Sequence, residues 1–214
     1  MKIGIQISGR GSNMQALVKA CAEAGFPATP VLVISNDPEA AGLAWAAEQG
    51  IPTAAISHRD YKGDREAHER AMTEVLEAHG VELVCNAGYM RVLTEWFVDH
   101  WRDRLINIHP SLLPSFPGLD THARALAEGV RFHGCTVHYV RTPVDEGPII
   151  AQAAVPVLAG DTPDALAARV LTAEHRLYPH ALRLVASAAA PVVDELVAIP
   201  HGDGPITVLN PVEN

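Results

Sequence analysis

The sequence predicts an α/β fold built on one open, mostly parallel, twisted sheet with helices packed against it. Strand-like and helix-like segments alternate through the first half of the chain, which is typical of right-handed β-α-β units. The run 31–35, "VLVIS", is continuously apolar, as expected for a strand buried on both faces. The 214 residues are 48% hydrophobic and 19% charged, so the chain can bury a core of its own.

The first half of the chain contains four strands and three helices by pattern. Alternating isoleucines indicate the first strand, and apolar residues at helical spacing indicate the helices. The Ala-rich helix ends at Gly50 and Pro52, which both disfavour its continuation. The expected elements are, in order, a strand over 2–8, a helix carrying Met14, Leu17, Val18 and Cys21, a strand over 31–35, a helix over 40–50, a helix over about 64–79, and strands over 82–86 and 104–109.

The second half changes character. Two strands, 132–140 and 149–157, are predicted to pair around the loop "TPVDEGP", and a long helix follows from about 163 to 188. We therefore expect a domain over residues 1–188, with residues 189–214 as a tail that lies on or beside it and can add a short hairpin. In open α/β sheets, ligands bind outside the carboxyl ends of the strands.

Composition excludes several functional classes. The formal net charge of -9 argues against a nucleic-acid partner or an acidic membrane surface. The chain has no apolar run of about 18 residues and no signal-peptide pattern at its start. Its three cysteines are odd in number and far apart, which indicates reduced thiols. We expect a cytoplasmic protein.

The segment "SGRGSN", residues 8–13, lies between the first strand and the first helix. Its glycines allow unusual backbone angles, and the N-terminus of the helix offers free N–H groups, which together suit a phosphate. Two alternatives remain open. The segment can be an ordinary turn capped by Ser12 or Asn13. It also resembles G-x-G-x-x-G, the dinucleotide-binding pattern, with Asp37 after the second strand, although Met14 occupies the third glycine position.

Asn107 and His109 stand two residues apart at the end of a predicted strand, so their side chains share one face. An amide donor and an imidazole at one point can hold an oxyanion while the imidazole handles a proton. Pro110, Pro114 and Pro117 predict an extended, rigid loop beside them. The alternative is a strand-end histidine that only satisfies a backbone carbonyl.

The loop "TPVDEGPII" offers Asp145 and Glu146 between two strands. A carboxylate beside His109 would favour the imidazolium; a solvated acidic turn is the alternative. A metal site is not expected, because His133 and His138, or His175 and His180, are five apart and no C-x-x-C occurs. A serine hydrolase is not expected either, since the chain has no G-x-S-x-G.

Six blocks together resemble the phosphoribosylglycinamide formyltransferase family: "SGRGSN", "NAGYMRVL", "LINIHPSLLPSFPG", "HGCTVHYV", "DEGPIIAQ" and "RVLTAEHRLYP". They run in order between about residues 2 and 185. The Asn, His and "SLLP" region also occurs in methionyl-tRNA formyltransferase and formyltetrahydrofolate deformylase. The block "GRGSN" before a helix and the late "TAEHRLYP" favour the first family, which implies a Rossmann-like formyltransferase fold.

The resemblance implies roles for individual residues. The implied catalytic residues are Asn107, His109 and Asp145. The residues implied to bind glycinamide ribonucleotide are Gly11, Ser12, Asn13, Leu171, Thr172, Ala173 and Glu174. Those implied to line the pocket for 10-formyltetrahydrofolate are Arg65, Met90, Arg91, Val92, Leu93, Asn107, Arg141, Thr142, Pro143, Val144 and Asp145. Asp120 stands where relatives often carry a basic residue or histidine, which changes the local electrostatics.

The resemblance implies transfer of a formyl group from 10-formyltetrahydrofolate, as cosubstrate, to the amine of glycinamide ribonucleotide in purine biosynthesis. It implies no metal and a monomer or homodimer. Two other classes stay open. One is a formyltetrahydrofolate hydrolase or another folate-dependent formyltransferase, and the other is a nucleotide-binding module without catalytic activity.

Overall fold

The described part of the computed structural model, residues 1–198, forms a seven-stranded sheet with the strand order β3-β2-β1-β4-β5-β6-β7. Strands β1 to β5 run parallel to one another, and β6 pairs antiparallel with both β5 and β7. This confirms the prediction of a mostly parallel open sheet. The strands are β1 (Lys2–Ile7), β2 (Thr29–Ser35), β3 (Thr53–Ala55), β4 (Leu83–Asn86), β5 (Leu105–His109), β6 (Phe132–Tyr139) and β7 (Ile149–Pro156).

Helices connect the strands, and side chains cap several of them. The Asp64 carboxylate accepts from the backbone N–H of Ala67, and the Thr162 hydroxyl accepts from that of Ala165. Such caps satisfy N–H groups that have no partner inside the helix. The helices are α1 (Ser12–Cys21), α2 (Ala41–Glu48), α3 (Arg65–Ala78), α4 (Glu95–His100), α5 (Thr121–Ala127) and α6 (Pro163–Ala186).

Two hydrophobic clusters, one on each side of the sheet, hold the layers together. On one side the isoleucines of β1 pack with α1, α2, α5 and α6. On the other side Leu32 and Ile34 of β2 pack with α3 and α4, where Trp101 is fully buried. Gly4 of β1 allows α3 to approach closely, since a Cβ there would lie 2.6 Å from Leu76 Cδ2. Helices on both faces of a parallel sheet give the Rossmann-like architecture.

Some elements differ from the sequence expectations. Strand β3 and helices α4 and α5 were not predicted, and a 3-10 turn at His58–Tyr61 precedes α3. These elements have three to seven residues, too few for a clear period. The tail contains the hairpin that was expected, β8 (Val192–Val193) with β9 (Leu196–Val197). The rest of the expected tail, residues 199–214, lies outside the described residues.

Within residues 1–198, no helix combines the length and the apolar character needed to cross a membrane. The three cysteines, Cys21, Cys85 and Cys135, are free thiols.

Candidate functional site

A cavity of about 680 Å³ opens at the carboxyl ends of β1, β4 and β5. Its position follows the rule for open α/β sheets, in which ligands bind beyond the carboxyl edge. Its volume lies within the usual range of small-molecule sites. Residues from the predicted site segments 11–13, 90–93, 107–109, 141–145 and 171–174 line it: Asn13, Met90, Arg91, Val92, Leu93, Asn107, His109, Arg141, Thr142, Val144, Asp145 and Glu174.

His109 and Asp145 form a buried pair in this cavity. His109 Nδ1 lies 3.2 Å from Asp145 Oδ1, and the two side chains are 8% and 11% exposed. The backbone N–H of Gly118 donates to Asp145 Oδ2 at 2.7 Å. Burial alone would raise the pKa of Asp145, but the hydrogen bonds from His109 and Gly118 outweigh it and hold that pKa below its usual value. The acidic loop is therefore not a solvated turn at Asp145.

The second nitrogen of His109 meets a backbone carbonyl. His109 Nε2 lies 3.0 Å from the Phe116 oxygen. Both ring nitrogens thus face acceptors, and only the imidazolium supplies a donor to each. The alternative, a histidine that only satisfies a backbone carbonyl, accounts for the contact of Nε2. It does not account for the contact of Nδ1 with the carboxylate of Asp145. The loop that carries Phe116 folds back over the histidine, so the expectation of an extended loop was wrong.

Asn107 is oriented by His138, a residue whose sequence pattern raised only the question of a metal site. Its Nδ2 lies 3.3 Å from His138 Nε2, and His138 Nδ1 lies 3.0 Å from the Tyr139 carbonyl oxygen. A carbonyl accepts only, so His138 carries its proton on Nδ1 and accepts from Asn107 at Nε2. Burial lowers the pKa of His138, which keeps the ring neutral for this role. The amide of Asn107 is thereby fixed beside His109.

The start of α1 forms a second corner of the site. Gly11 has φ 69° and precedes the helix without a side-chain cap, and no acidic residue occupies the first turn. A Cβ at Gly11 would lie 2.8 Å from Met14 Cε, so both the backbone and the space favour glycine. Free N–H groups and the positive end of the helix dipole give this corner the character of an anion site.

Glu174 joins this corner to α6. Its Oε2 accepts from Asn13 Nδ2 at 2.6 Å, and the residue is 6% exposed. Burial raises the pKa of Glu174, while the hydrogen bond from Asn13 acts in the opposite direction. One N–H of the Asn13 amide is thus committed to Glu174, which fixes the side chain beside the start of α1.

The loop Met90–Leu93 is held at both of its ends. The backbone N–H of Met90 donates to Ser8 Oγ at 2.8 Å, and that of Thr94 donates to Glu69 Oε1 at 3.1 Å. Burial raises the pKa of Glu69, and the hydrogen bonds from Thr94 oppose that rise. Between these anchors the loop keeps a fixed path along the cavity wall.

Four apolar side chains are exposed at the mouth of the cavity. Met90 is 71% exposed and Leu119 is 72% exposed, and Val92 and Val144 are also exposed. Exposed apolar side chains gathered around a cavity are typical of a ligand-binding site. The wall as a whole combines an apolar mouth with the polar group Asn107, His109 and Asp145.

Several residues implied by the resemblance do not line the cavity. Arg65 is exposed at the start of α3, and Pro143 lies in the loop of Asp145 without lining the wall. On α6, Leu171 and Thr172 are exposed, and Thr172 Oγ1 donates to the Ala168 carbonyl of its own helix. Ala173 and Gly11 are also absent from the lining, and Ser12 instead lines a groove of about 550 Å³ between α1 and α6.

No group of three or more histidine, cysteine, aspartate or glutamate side chains within the described chain could hold a metal ion. The polar side chains that line the cavity carry carboxylates, imidazoles, amides and guanidinium groups.

The chain matches known proteins over most of its length. The family model described as formyl transferase matches residues 1–182. Phosphoribosylglycinamide formyltransferase of Escherichia coli (strain K12) is 45% identical over 179 residues, which cover 84% of this chain and 84% of that protein. The trifunctional purine biosynthetic protein adenosine-3 of Bos taurus is 50% identical over 188 residues, or 88% of this chain. The chain spans only 18% of the length of that relative.

Solved structures of related enzymes have a similar fold. The crystal structure of glycinamide ribonucleotide transformylase 1 from Symbiobacterium toebii has a TM-score of 0.89 and 46% identity, with 93% of each chain covered. A formyltetrahydrofolate deformylase from Pseudomonas putida KT2440 has a TM-score of 0.83 but 29% identity, with 93% of this chain and 70% of that chain covered. The chain belongs to the formyl transferase family, within its phosphoribosylglycinamide formyltransferase group.

Proposed function

We propose that this chain transfers the formyl group of 10-formyltetrahydrofolate to the amine of glycinamide ribonucleotide, a step of purine biosynthesis. One observation carries the proposal most: the pair His109 and Asp145, with Asn107 beside it, lies in the same cavity as Asn13 and Glu174. A site for acyl transfer needs such a group between its two substrates. The 45% identity to the Escherichia coli enzyme over most of both chains supports the same reaction.

The cavity suits the formyl donor. A folate is a flat aromatic ring system with polar edges and an acidic tail. The exposed apolar side chains at the mouth, Met90, Val92, Leu119 and Val144, offer contacts for its rings. Arg91 adds a cation to the same wall, which suits a carboxylate of the tail. Arg65 lies outside the cavity wall, and we propose that it acts on the outer end of that tail.

The opposite corner suits the ribonucleotide. The phosphate would accept hydrogen bonds from the backbone N–H groups at the start of α1, at Ser12 and Asn13. The Ser12 hydroxyl can add one more. The carboxylate of Glu174 would accept hydrogen bonds from N–H and hydroxyl groups of the same substrate. Glu174 is buried in the cavity wall, and Asn13 donates to only one of its two oxygens. Leu171, Thr172 and Ala173 would contribute through the position of α6 rather than through direct contacts.

In the chemical step, Asn107 and the protonated His109 stabilise the oxygen that becomes negative when the amine attacks the formyl carbon. Donors of this kind are worth about 3 kcal/mol each in comparable sites. Asp145 holds the imidazolium in place and balances its charge. For the ring to reach the substrate oxygen, Nε2 exchanges its bond to the Phe116 carbonyl for a bond to that oxygen.

His109 and Asp145 also serve the proton transfers of the reaction. The attacking amine loses a proton, and the departing folate nitrogen gains one. His109 and Asp145 lie within hydrogen-bonding distance of each other and can pass a proton between the two sites, directly or through water. The amine is itself a nucleophile, so the reaction needs no covalent intermediate with the protein.

We propose that residues 1–188 form the catalytic domain and that the tail begins at 189. Helix α6 ends at Ala186, and the Tyr139 hydroxyl donates to the Ala190 carbonyl at 3.0 Å, so the start of the tail packs beside the domain. Free thiols and a formal net charge of -9 are compatible with a cytoplasmic enzyme that acts on small molecules as a monomer or homodimer.

The experiment that tests this function incubates the protein with 10-formyltetrahydrofolate, with and without glycinamide ribonucleotide. We expect consumption of the formyl donor only when the ribonucleotide is present, with formylated ribonucleotide as the product. Donor loss at the same rate without ribonucleotide, with release of formate, would contradict the proposal.

That last outcome would instead support the second candidate, a formyltetrahydrofolate hydrolase. The likeness to the Pseudomonas putida deformylase favours it to a limited degree, because the two folds agree although the identity is 29%. Binding of ribonucleotide without any consumption of formyl donor would support a binding module without catalytic activity.

A further inference from the structure

Arg141 lines the cavity, and its guanidinium pairs with Asp103 and with Glu195 of the tail. Its Nε donates to Glu195 Oε2 at 2.7 Å, and its Nη2 donates to Asp103 Oδ1 at 2.8 Å. Its Nη1 donates to the Val140 carbonyl at 3.1 Å. Each of the three nitrogens therefore already has a partner within the protein, although Arg141 is counted among the residues of the donor pocket.

Arg141 is also the first residue of the loop that carries Asp145. Its backbone N–H donates to the Glu146 carbonyl at 3.2 Å, which closes the loop, and the N–H of Tyr139 donates to the Pro148 carbonyl at 2.9 Å just below. Asp145 stands inside this closure with φ 58°, a left-handed conformation that is uncommon for non-glycine residues and enriched for aspartate. The backbone of Arg141 thus closes the loop from which the Asp145 carboxylate reaches His109 and the Gly118 N–H.

Glu195 contacts Arg141 from the C-terminal hairpin, β8 and β9. It stands in the two-residue turn of the hairpin, and its other carboxylate oxygen, Oε1, accepts from Arg102 Nη2 at 2.5 Å. The hairpin is itself anchored, because Ala190 is buried and Val192 and Val197 pack against the core. One carboxylate therefore links the tail to the turn before β5 and to the loop of Asp145.

We propose that Glu195 is a positioning residue for the formyl-donor site, which acts by holding Arg141 and, through it, the loop 141–147. The inference rests on the proposed function for its substrate, but its structural step does not. The Arg141 side chain is 10% exposed and is held between two carboxylates, so it is ordered more firmly than a side chain in a single surface ion pair. The tail thereby becomes part of the donor site without contacting the substrate.

Two matched substitutions test the proposal. Glu195→Asn removes the reach of the carboxylate but keeps a residue that tolerates the left-handed backbone at φ 60°. The control is Asp194→Asn, which makes the same change of charge one residue earlier, at φ 49°. Asp194 has no ion pair or side-chain hydrogen bond with any residue in 1–198, so the control leaves Arg141 untouched.

We expect Glu195→Asn to raise the KM for 10-formyltetrahydrofolate about three- to fivefold, the range of a surface ion-pair network. The KM for glycinamide ribonucleotide should stay within about twofold, because its corner lies on α1 and α6. Asp194→Asn should change neither constant. An unchanged donor KM in Glu195→Asn, or an equal rise in both KM values, would overturn the proposal.

Hydrogen exchange on the ligand-free protein tests the structural step without any activity. The backbone N–H groups of residues 141–147 should exchange faster in Glu195→Asn than in the parent, and at the parental rate in Asp194→Asn. Equal exchange in all three proteins would overturn the proposal. A parent protein that transfers no formyl group would contradict the proposed function, while this measurement would still decide whether Glu195 holds the loop.

A double-mutant cycle tests whether Glu195 acts through Arg141. In an Arg141→Met background, Glu195→Asn should have no further effect on exchange at 141–147, because its partner is gone. A full additional effect would show that Glu195 acts by another route and would overturn the proposed chain of contacts.

Discussion

His109 is held with both ring nitrogens against acceptors, Asp145 on one side and the Phe116 carbonyl on the other. The ring is therefore oriented by the folded protein before any substrate arrives, and it need not be reoriented during the reaction. Neutral His138 does the same for the amide of Asn107. A developing negative oxygen would therefore meet two donors whose directions are already set.

Removing either donor should slow turnover strongly. We expect Asn107→Ala and His109→Ala each to lower kcat at least about a hundredfold, which corresponds to roughly 2.7 kcal/mol of lost transition-state stabilisation. Steady-state kinetics at saturating substrates measures this. The matched control is His79→Ala, an exposed histidine at the end of α3, which should keep parental turnover. Near-parental kcat in both site variants would remove these residues from the chemistry.

Asp145 should make stability depend on acidity. Its pKa is lower in the folded protein than in the unfolded chain, so its contribution to stability is full above the unfolded pKa of about 4 and disappears as the pH falls through the folded pKa. Denaturant unfolding at a series of pH values should show a shallower acid-side loss of free energy in Asp145→Asn than in the parent. Asp99→Asn, an exposed aspartate of α4, should keep the parental slope. Identical slopes for Asp145→Asn and the parent would argue against the pairing.

At the residue scale, the sequence reveals groups that share a strand but not groups that meet across the fold. The two-residue spacing of Asn107 and His109 is visible without coordinates, and both residues line the cavity. The pairing with Asp145 depends on the loop between β6 and β7, and the role of His138 depends on its register opposite Asn107. No local pattern reports either, and the resemblance supplied Asp145 where the residues alone left it open.

Among the elements, the start of α1 has the clearest functional design. Its uncapped N-terminus follows a left-handed Gly11, and Gly42 of α2 packs against the preceding turn with its N–H on the Gly9 carbonyl at 3.0 Å. A Cβ at Gly42 would lie 3.0 Å from that carbonyl oxygen. The two glycines thus hold a tight turn beside free N–H groups, which is the arrangement that anions use.

Ser12→Ala tests this element. It should raise the Kd for glycinamide ribonucleotide about tenfold, the value of one hydrogen bond to a charged group, and leave the Kd for 10-formyltetrahydrofolate unchanged. Isothermal titration with each substrate alone measures both constants. Gln15→Ala, one turn further along the same helix, should change neither. Equal losses for both substrates in Ser12→Ala would contradict the assignment of the phosphate to α1.

Apolar strands and long helices were predictable, and the short helices were not. Strands β1, β2, β4 and β5 carry apolar runs, and α3 and α6 carry helical periods over 14 and 24 residues. Helix α4 has six residues and is rich in Trp, Phe and Val, which do not favour helices, so its formation depends on the buried contacts of Phe97 and Val98. Helix α5 begins at Thr121, directly after the proline-rich loop, and its seven residues give no clear period.

For the whole molecule, the site exists because the chain reverses direction across the sheet. From β1 it proceeds outward through β2 and β3, then returns to the other side of β1 with β4 and β5. The loops after β1 and β4 therefore separate and leave a crevice between them, where Asn13 and Asn86 line the cavity. The alternation of strands and helices predicted this edge as the site, but not which loops would converge there.

Buried histidines should make the whole fold sensitive to mild acid. Burial lowers the pKa of His133 to about 4, and the pKa values of His68, His122 and His138 are lowered for the same reason. The unfolded chain takes up protons near pH 6.5 that the folded protein excludes, so the free energy of unfolding should fall as pH falls from about 6.5 toward 4. Each excluded proton adds a slope of at most about 1.4 kcal/mol per pH unit.

His133→Gln isolates one of these contributions. Urea unfolding between pH 7 and pH 4.5 should show a shallower slope in this variant than in the parent, by up to one proton. The exposed histidine of α6 provides the control, as His180→Gln, and should keep the parental slope. A variant with the full parental slope would mean that His133 takes up its proton in the folded state as readily as in the unfolded chain.

The central claim is that Asn107 and His109 stabilise the oxygen of the formyl group while it is transferred from folate to amine. His138 and Asp145 hold these two side chains in position. A single-turnover experiment tests it most directly, with a carbon-13-labelled formyl donor, bound ribonucleotide and detection of the label by NMR. We predict that the parent moves the label to the ribonucleotide amine, and that Asn107→Ala/His109→Ala binds both substrates but transfers the label at least about a thousandfold more slowly. Transfer at the parental rate by the double variant, or label found only in formate with the parent, would contradict the account.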